Sequence, residues 1–361
     1  MAWSATVAAT VAVGVGLVVA RAVERERRAA RSKRSSRKAR RFGLLSDETA
    51  ASGYRRIALG QLDLAIELLG GESTTPPEEA VHETRKALKR VRALMRLLEG
   101  ELGAKRARRE RVVLRDAAAR LAGARDAEVM VSTLDALVER HPRKLGARRG
   151  VAELRAALER ERRDASAHTL GDSVTREQVA QELAQVRARV AGWKLPEHRS
   201  ATRLTGPGLE HIYRAGRTGR RRARRGKAGP RALHRWRKHV KDLRYAAEVL
   251  EVRAPAGAGS KASGKHRPRQ RGRTVERSRR IARVARRADA LGEMLGEEHD
   301  LMLLAERVRT HKPLKRRRKR ARKRLLRAIS RRRARLRRRA LRAGERLYTR
   351  KPRRFVRHVR A

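Results

Sequence analysis

From Val81 to Leu98 the chain reads VHETRKALKRVRALMRLL, with apolar positions recurring at the spacing of an α-helix. At about 100° per residue, His82, Arg85, Lys86, Lys89, Arg92 and Arg96 fall within a sector of roughly 120°. Leu88, Val91, Leu94, Met95 and Leu98 fall opposite them. The pattern predicts an amphipathic helix, apolar behind and carrying a basic ladder in front. Leu233 to Leu250, LHRWRKHVKDLRYAAEVL, repeats it. His234, Arg237, Lys238, Lys241 and Arg244 recur at the same offsets, and Leu233, Trp236, Val240, Leu243, Ala247 and Leu250 form the back. Of the front positions only Glu248 departs, standing where Arg96 stands in the first copy.

The same period predicts helices around both ladders. Leu45 to Leu69 is one, with Ser46 as N-cap and Asp47 and Glu48 in its first turn. Gly70 and Gly71 stop it, and the first ladder helix runs to Gly100. Arg106 to Ala122, Val129 to Val138, Val151 to His168 and Gln178 to Trp193 complete a first half, with a break at His141-Pro142. Leu195-Pro196 and a turn at Gly206-Pro207-Gly208 mark the joint. Leu209 to Arg225 then matches the first helix, Tyr213-Arg214 echoing Tyr54-Arg55. Ile281 to Met294 and the stretch from Lys312 to Arg342 supply the closing helices.

Repeat spacing locates an insertion. His82 to His234 is an offset of 152 residues and Leu121 to Leu295 one of 174; the extra 22 match the length of Arg253 to Thr274. That run is rich in Gly, Ser, Ala, Lys and Arg and reads as a flexible loop. The expected organisation is therefore residues 1–20 as an anchor, 21–43 as a basic linker, and 44–195 as a first bundle. A second bundle spans 204–355, interrupted by the loop at 253–274, and 356–361 form a tail.

Charge narrows the choice of partner. Lys and Arg number 97 against 38 acidic residues, a net +59, which implies a polyanion: nucleic acid, anionic lipid or polyphosphate. The 40% of hydrophobic residues, set at helical period, argues against disorder. There is no cysteine, which removes disulfides and thiolate metal sites. Three Trp, four Tyr and two Phe are few for stacking bases, favouring a partner that offers charge without bases.

Ala2 to Ala20 carries no charge and would span about 28 Å as a helix, the thickness of a bilayer core. It reads as a membrane anchor or as a buried leader; if it spans, the basic flank from Arg21 to Arg41 stays cytoplasmic. Within that flank Glu24, Glu26 and Arg28 mimic an E-x-E-x-basic triphosphatase motif. No alternating strand pattern surrounds them, so a solvated helical charge run explains them. Gly259 to Lys265 fits a G-x-x-x-x-G-K frame, but His266 stands where a magnesium-binding Ser or Thr is needed and Pro255 and Pro268 flank it. Lys312 to Arg342 holds 19 basic residues in 31 with no acid, a general polyanion surface able to bind RNA or DNA.

The ladder histidines do not read as catalysts or metal ligands. Lys86 and Lys238 occupy the positions four residues on, where a metal site would want a second ligand, and a neighbouring cation lowers an imidazole pKa. No Ser-His-Asp arrangement or carboxylate pair stands out, so neither catalysis nor a cofactor is expected.

HETRKALKRVRALMRLL and HRWRKHVKDLRYAAEVL resemble the signature of CHAD domains, the conserved-histidine α-helical domains. LAGARDAEVM and LGEEHDLMLL are similar to the short Asp-containing segment of that family, and the resemblance covers about Leu44 to Phe355. It implies an all-α fold of two helical bundles related by pseudo-two-fold symmetry. It also implies non-catalytic binding of inorganic polyphosphate along a basic central groove. The binding residues would be the ladder residues His82, Arg85, Lys86, Lys89, Arg92 and Arg96 with His234, Arg237, Lys238, Lys241 and Arg244. Arg125 joins them with Asp126 as an orienting partner, as do Arg55 and Arg56 beside Tyr54, and Tyr213, Arg214, Arg217 and Arg221 on the matching helix. Arginines would fork onto phosphate oxygens and lysines act as point charges. Protonated histidines would add charge, strengthening affinity as pH falls toward 6. The implied location is the cytoplasm, at the inner membrane face if residues 2–20 span, or at polyphosphate granules.

Overall fold

The computed structural model describes residues 40–70, 75–146, 149–225, 229–253, 268–310 and 316–360. The apparent anchor at 2–20, the E-x-E run and the G-x-x-x-x-G-K frame lie outside those residues. The chain divides into Met1–Arg41 and Phe42–Ala361, and the architecture that follows is that of the second unit. Its order is β1 (Leu44–Leu45), α1 (Ala50–Leu69), α2 (Pro77–Leu97), α3 (Glu99–Leu102), α4 (Ala104–Arg120) and α5 (Gly123–Glu139). A π-helical turn at Pro142–Gly146 leads to α6 (Arg149–Gly171) and α7 (Ser173–Ala191). The second half comprises α8 (Ala201–Arg224), α9 (Pro230–Leu250), β2 (Val252–Arg253), α10 (Pro268–Thr310), α11 (Arg316–Leu347) and α12 (Pro352–Arg360). The fold is all-α; β1 and β2 are a two-residue parallel pairing, Leu44 with Val252 and Leu45 with Arg253. Among the described residues no helix is long and apolar enough to cross a membrane.

Several expected boundaries move, each for a local reason. Thr49, not Ser46, caps α1, accepting from Ser52 N–H at 3.1 Å. Leu44 and Leu45 are already committed to the strand pairing, and Glu48 accepts from Leu45 N–H at 2.8 Å. The ladder helix α2 stops at Leu97, and the chain turns at Gly103, whose φ of 80° favours glycine. Pro268 opens α10, so the helix begins inside the stretch expected to be loop; proline at the first helical position is preorganised for it.

Gly206-Pro207-Gly208 is the larger correction. It is not a turn but the interior of α8. A Cβ on Gly208 would sit 2.0 Å from the Leu97 carbonyl oxygen, and one on Gly206 would strike the Arg360 guanidinium. The glycines allow α8 to approach the C-terminal end of α2, and the helix tolerates Pro207 there despite the lost hydrogen bond.

Two apolar clusters organise the unit. The larger includes Leu88, Val91 and Leu94 of α2 with Trp236, Val240 and Leu243 of α9, so the backs of both ladders share one core. The smaller joins Leu134 and Leu137 of α5, Leu154 and Leu158 of α6, Leu301 and Leu304 of α10, and Leu325 and Ile329 of α11. Both cores draw helices from both halves of the chain. The order of neighbours recurs: α1 packs on α2 as α8 does on α9, and α5 on α6 as α10 does on α11.

Candidate functional site

The apolar backs of α2 and α9 are fixed in the core, which leaves their basic faces on one side of each helix. Leu88, Leu94 and Met95, like Trp236, Val240 and Leu243, are fully buried, while the intervening cations remain half-buried or exposed. The helices contact each other directly, and Arg96 Nη1 reaches Asp242 Oδ1 at 2.5 Å across that contact.

Lys89 and Lys241 occupy the same rung in the two copies, and the charge of Lys241 is felt at Lys89. Burial, then Lys241, Arg85, Arg237 and Arg92, push the Lys89 ammonium down to about 8. Lys241 is likewise lowered, by burial and then by Arg237, with Glu293 and Asp300 acting against the shift. Neither lysine has a carboxylate in ion-pair range among the described residues. Arg85, Arg92 and Arg237 each bury an Nε–H with no acceptor there. The middle of the ladders is thus a cluster of cations with unused donors, disposed to receive an anion rich in oxygen acceptors.

The Asp-containing segments supply matching supports. Asp126 Oδ1 lies 3.7 Å from Arg85 Nη2, and Arg85 also donates to the Ala122 carbonyl at 3.2 Å. In the second copy Asp300 Oδ1 lies 3.9 Å from Arg237 Nη1. One aspartate therefore faces the second rung of each ladder. Arg125 is helical, and its side chain lies outside the described residues.

The ends of the ladders are tied to acids. Lys86 Nζ pairs with Glu83 at 3.0 Å. Arg244 meets Glu248 at 2.7 Å and Asp289 at 2.5 Å, which holds it fully charged. His82 and Lys238 are exposed. His234 stacks obliquely on His299, their ring centroids 4.3 Å apart, and its buried Nδ1 has no partner among the described residues. Burial, His299, Lys238 and Arg237 lower His234 to about 4. It is therefore neutral near pH 6 in the anion-free site, contrary to the gain of charge expected there.

Other candidates sit elsewhere. Arg55 donates to the Trp193 carbonyl at 2.9 Å and pairs with Glu197 at 3.6 Å. Arg56 forks onto Glu48 at 2.7 and 2.8 Å and reaches the Gly43 carbonyl at 2.8 Å. Both arginines secure the start of α1. Tyr213 is wholly buried, stacked on Phe355 at 3.9 Å and donating to the Leu347 carbonyl at 3.2 Å, so it reaches no solvent-borne ligand. Its partner Tyr54 is equally buried, its hydroxyl donating to Ala201. Arg214 pairs with Glu210 on its own helix, Arg221 donates to Thr218 Oγ1 at 3.3 Å, and Arg217 is half-buried near Tyr213.

The sequence pattern also missed part of the site. A cavity of about 450 Å³ opens beside Arg237 and Asp300 and is walled by Arg140, Arg332 and Arg339 with Glu293, Glu297, Ser132 and Thr133. Arg332 and Arg339 are seven residues apart, the one signal within an otherwise uniform basic run. No group of three or more His, Asp or Glu that could hold a metal ion occurs among the described residues.

Residues 67–263 match the family model of the CHAD domain. The fold is similar to a crystal structure of the CHAD domain from the plant Ricinus communis, with a TM-score of 0.51 at 18% identity. That similarity covers 84% of this chain and 93% of the plant one, and at such identity it concerns the fold. No curated protein matches the sequence.

Proposed function

The chain belongs to the CHAD domain family, and on that premise we propose that its paired ladders bind inorganic polyphosphate without catalysis. One observation carries the reading: Lys89 feels the charge of Lys241 from the equivalent rung together with Arg85, Arg237 and Arg92, and no carboxylate lies in ion-pair range of either lysine among the described residues, Glu293 and Asp300 acting on Lys241 only from farther off. A linear polyanion with one charge per unit answers that arrangement. Its oxygens accept from the arginine forks, and its charge density matches or exceeds the spacing of about 1.7 Å per charge in duplex DNA. Asp126 and Asp300 hold Arg85 and Arg237 in place, and the lysines act as point charges between them. His234, neutral at physiological pH, contributes a hydrogen bond.

The test is a competition on the full chain at near-physiological salt, labelled polyphosphate against RNA of equal charge. Wild type is compared with a variant carrying alanine at His82, Lys86, Lys89, His234, Lys238 and Lys241. Wild type should prefer polyphosphate, and the variant should lose about a hundredfold in affinity, six contacts of roughly 0.5 kcal/mol each. RNA outcompeting polyphosphate, or a variant that binds as well as wild type, refutes the reading.

A further inference from the structure

The helix α11 carries a third basic row. Arg324, Arg327, Arg331 and Arg335 follow at spacings of three and four residues and share one helix face. With Arg143 and Lys144 of the π-helical turn they line a cavity of about 820 Å³. No acid lines it, and none of these six cationic side chains has an ion pair or hydrogen bond among the described residues. Packing does not account for the row, because Leu325, Ile329 and Leu336 already supply the contacts of α11 with the smaller core.

The neighbouring arginines are treated differently by the fold. Arg332 forks onto Glu297 at 2.7 Å, Arg140 reaches the same carboxylate at 3.0 Å, and Arg333 pairs with buried Glu298 at 2.9 Å. Acids are thus paired with Arg333 and with the two arginines at the cavity's edge, Arg140 and Arg332, and are missing along the row Arg324, Arg327, Arg331 and Arg335. Arg140 and Arg332 also line the 450 Å³ cavity that reaches Arg237, so the two cavities share a wall with a ladder rung beyond it.

We propose that this cavity is a second binding segment for the same polyphosphate chain, continuing from the ladders past Arg140 and Arg332. Long chains are then held at both places and short ones at the ladders. The inference rests on the polyphosphate reading above. Polyphosphate suits the cavity better than RNA because no Phe, Tyr or Trp lines it to stack a base. A chain already held by the ladders engages the second segment intramolecularly, which raises affinity without a second encounter.

The experiment titrates the full chain with tripolyphosphate, with long-chain polyphosphate and with RNA. Wild type is compared with Arg324/Arg327/Arg331/Arg335→Gln and with the ladder alanine variant. All four positions are exposed on a helix, their side chains without a partner among the described residues, and glutamine keeps helix propensity. The glutamine variant should keep the tightest tripolyphosphate affinity and lose about tenfold for the long chain. Its dependence of log affinity on log salt should flatten by about 3, at roughly 0.7 per lost phosphate contact. Unchanged long-chain affinity and slope overturn the proposal, as does equal loss of both ligands. Loss of RNA binding with polyphosphate binding intact also overturns it and identifies a nucleic-acid surface. If the ladder variant still binds tripolyphosphate, the ladder reading itself fails; if it loses binding while the glutamine variant behaves as wild type, only the extension falls.

Discussion

Lys89 shows how one residue records the demand of the site. Its pKa falls from 10.5 to about 8, a difference of about 3 kcal/mol in charge-state preference. The folded pKa lies below the unfolded one, so the unfolded chain holds more protons between them. Stability of the anion-free protein should therefore rise as pH climbs from about 8 toward 10. Polyphosphate reverses the sign: a bound anion raises the lysine pKa, so affinity is full below about pH 8 and falls above it. Lys89→Met should remove most of both slopes, read by denaturant melts and by titration at pH 7.5 and 9.5; slopes equal to wild type would take Lys89 out of the groove. His234 acts in the acid range. Burial beside His299, Lys238 and Arg237 keeps it neutral to about pH 4, whereas the unfolded imidazole protonates near 6.5. Stability is lost as pH falls through that window, and His234→Asn should shallow the decline between pH 7 and 5 in urea melts.

At the scale of the helix, close approach decides more than charge. Gly208→Ala would drive a Cβ into the Leu97 carbonyl, and because a backbone atom cannot swing aside, the substitution should cost about 3 kcal/mol. Gly100→Ala, in α3 with nothing within 4 Å, should be neutral or slightly stabilising in the same denaturant experiment. Equal effects would mean that α8 and α2 do not approach so closely in solution. The pair also explains what the sequence could and could not show. The ladder helices were legible because a period of 3.6 separates their apolar and basic faces without help from neighbours. Gly206-Pro207-Gly208 misled because glycine serves turns and helix contacts alike, and only the position of Leu97 tells them apart. Tyr213 shares its motif with Tyr54, yet both are buried, since the motif marks a core contact that recurs rather than a groove. Arg55 and Arg56 could not be separated from groove cations without Glu197 and Glu48, and the row on α11 is masked by equally basic neighbours.

For the whole molecule, the surplus of 97 basic over 38 acidic residues means that the fold is kept together against its own charge. Both apolar cores are shared between the halves, so repulsion between the halves acts directly on core contacts. Salt should then stabilise the anion-free protein, because screening over about 10 Å at 0.1 M weakens that repulsion. The same salt should weaken polyphosphate binding, since each phosphate contact releases counterions that added salt opposes. Polyphosphate at a hundred times its dissociation constant should add about 2.7 kcal/mol of stability in low salt, a rise of several degrees in unfolding midpoint. Because salt and polyphosphate relieve the same charges, their effects should be less than additive: in high salt the polyphosphate increment shrinks although the starting midpoint is higher. Thermal melts over a grid of sodium chloride and polyphosphate concentrations test this. A midpoint that falls with salt would show that ion pairs such as Arg333–Glu298 outweigh the repulsion. Strictly additive increments would show that polyphosphate is held by something other than the cations that salt screens.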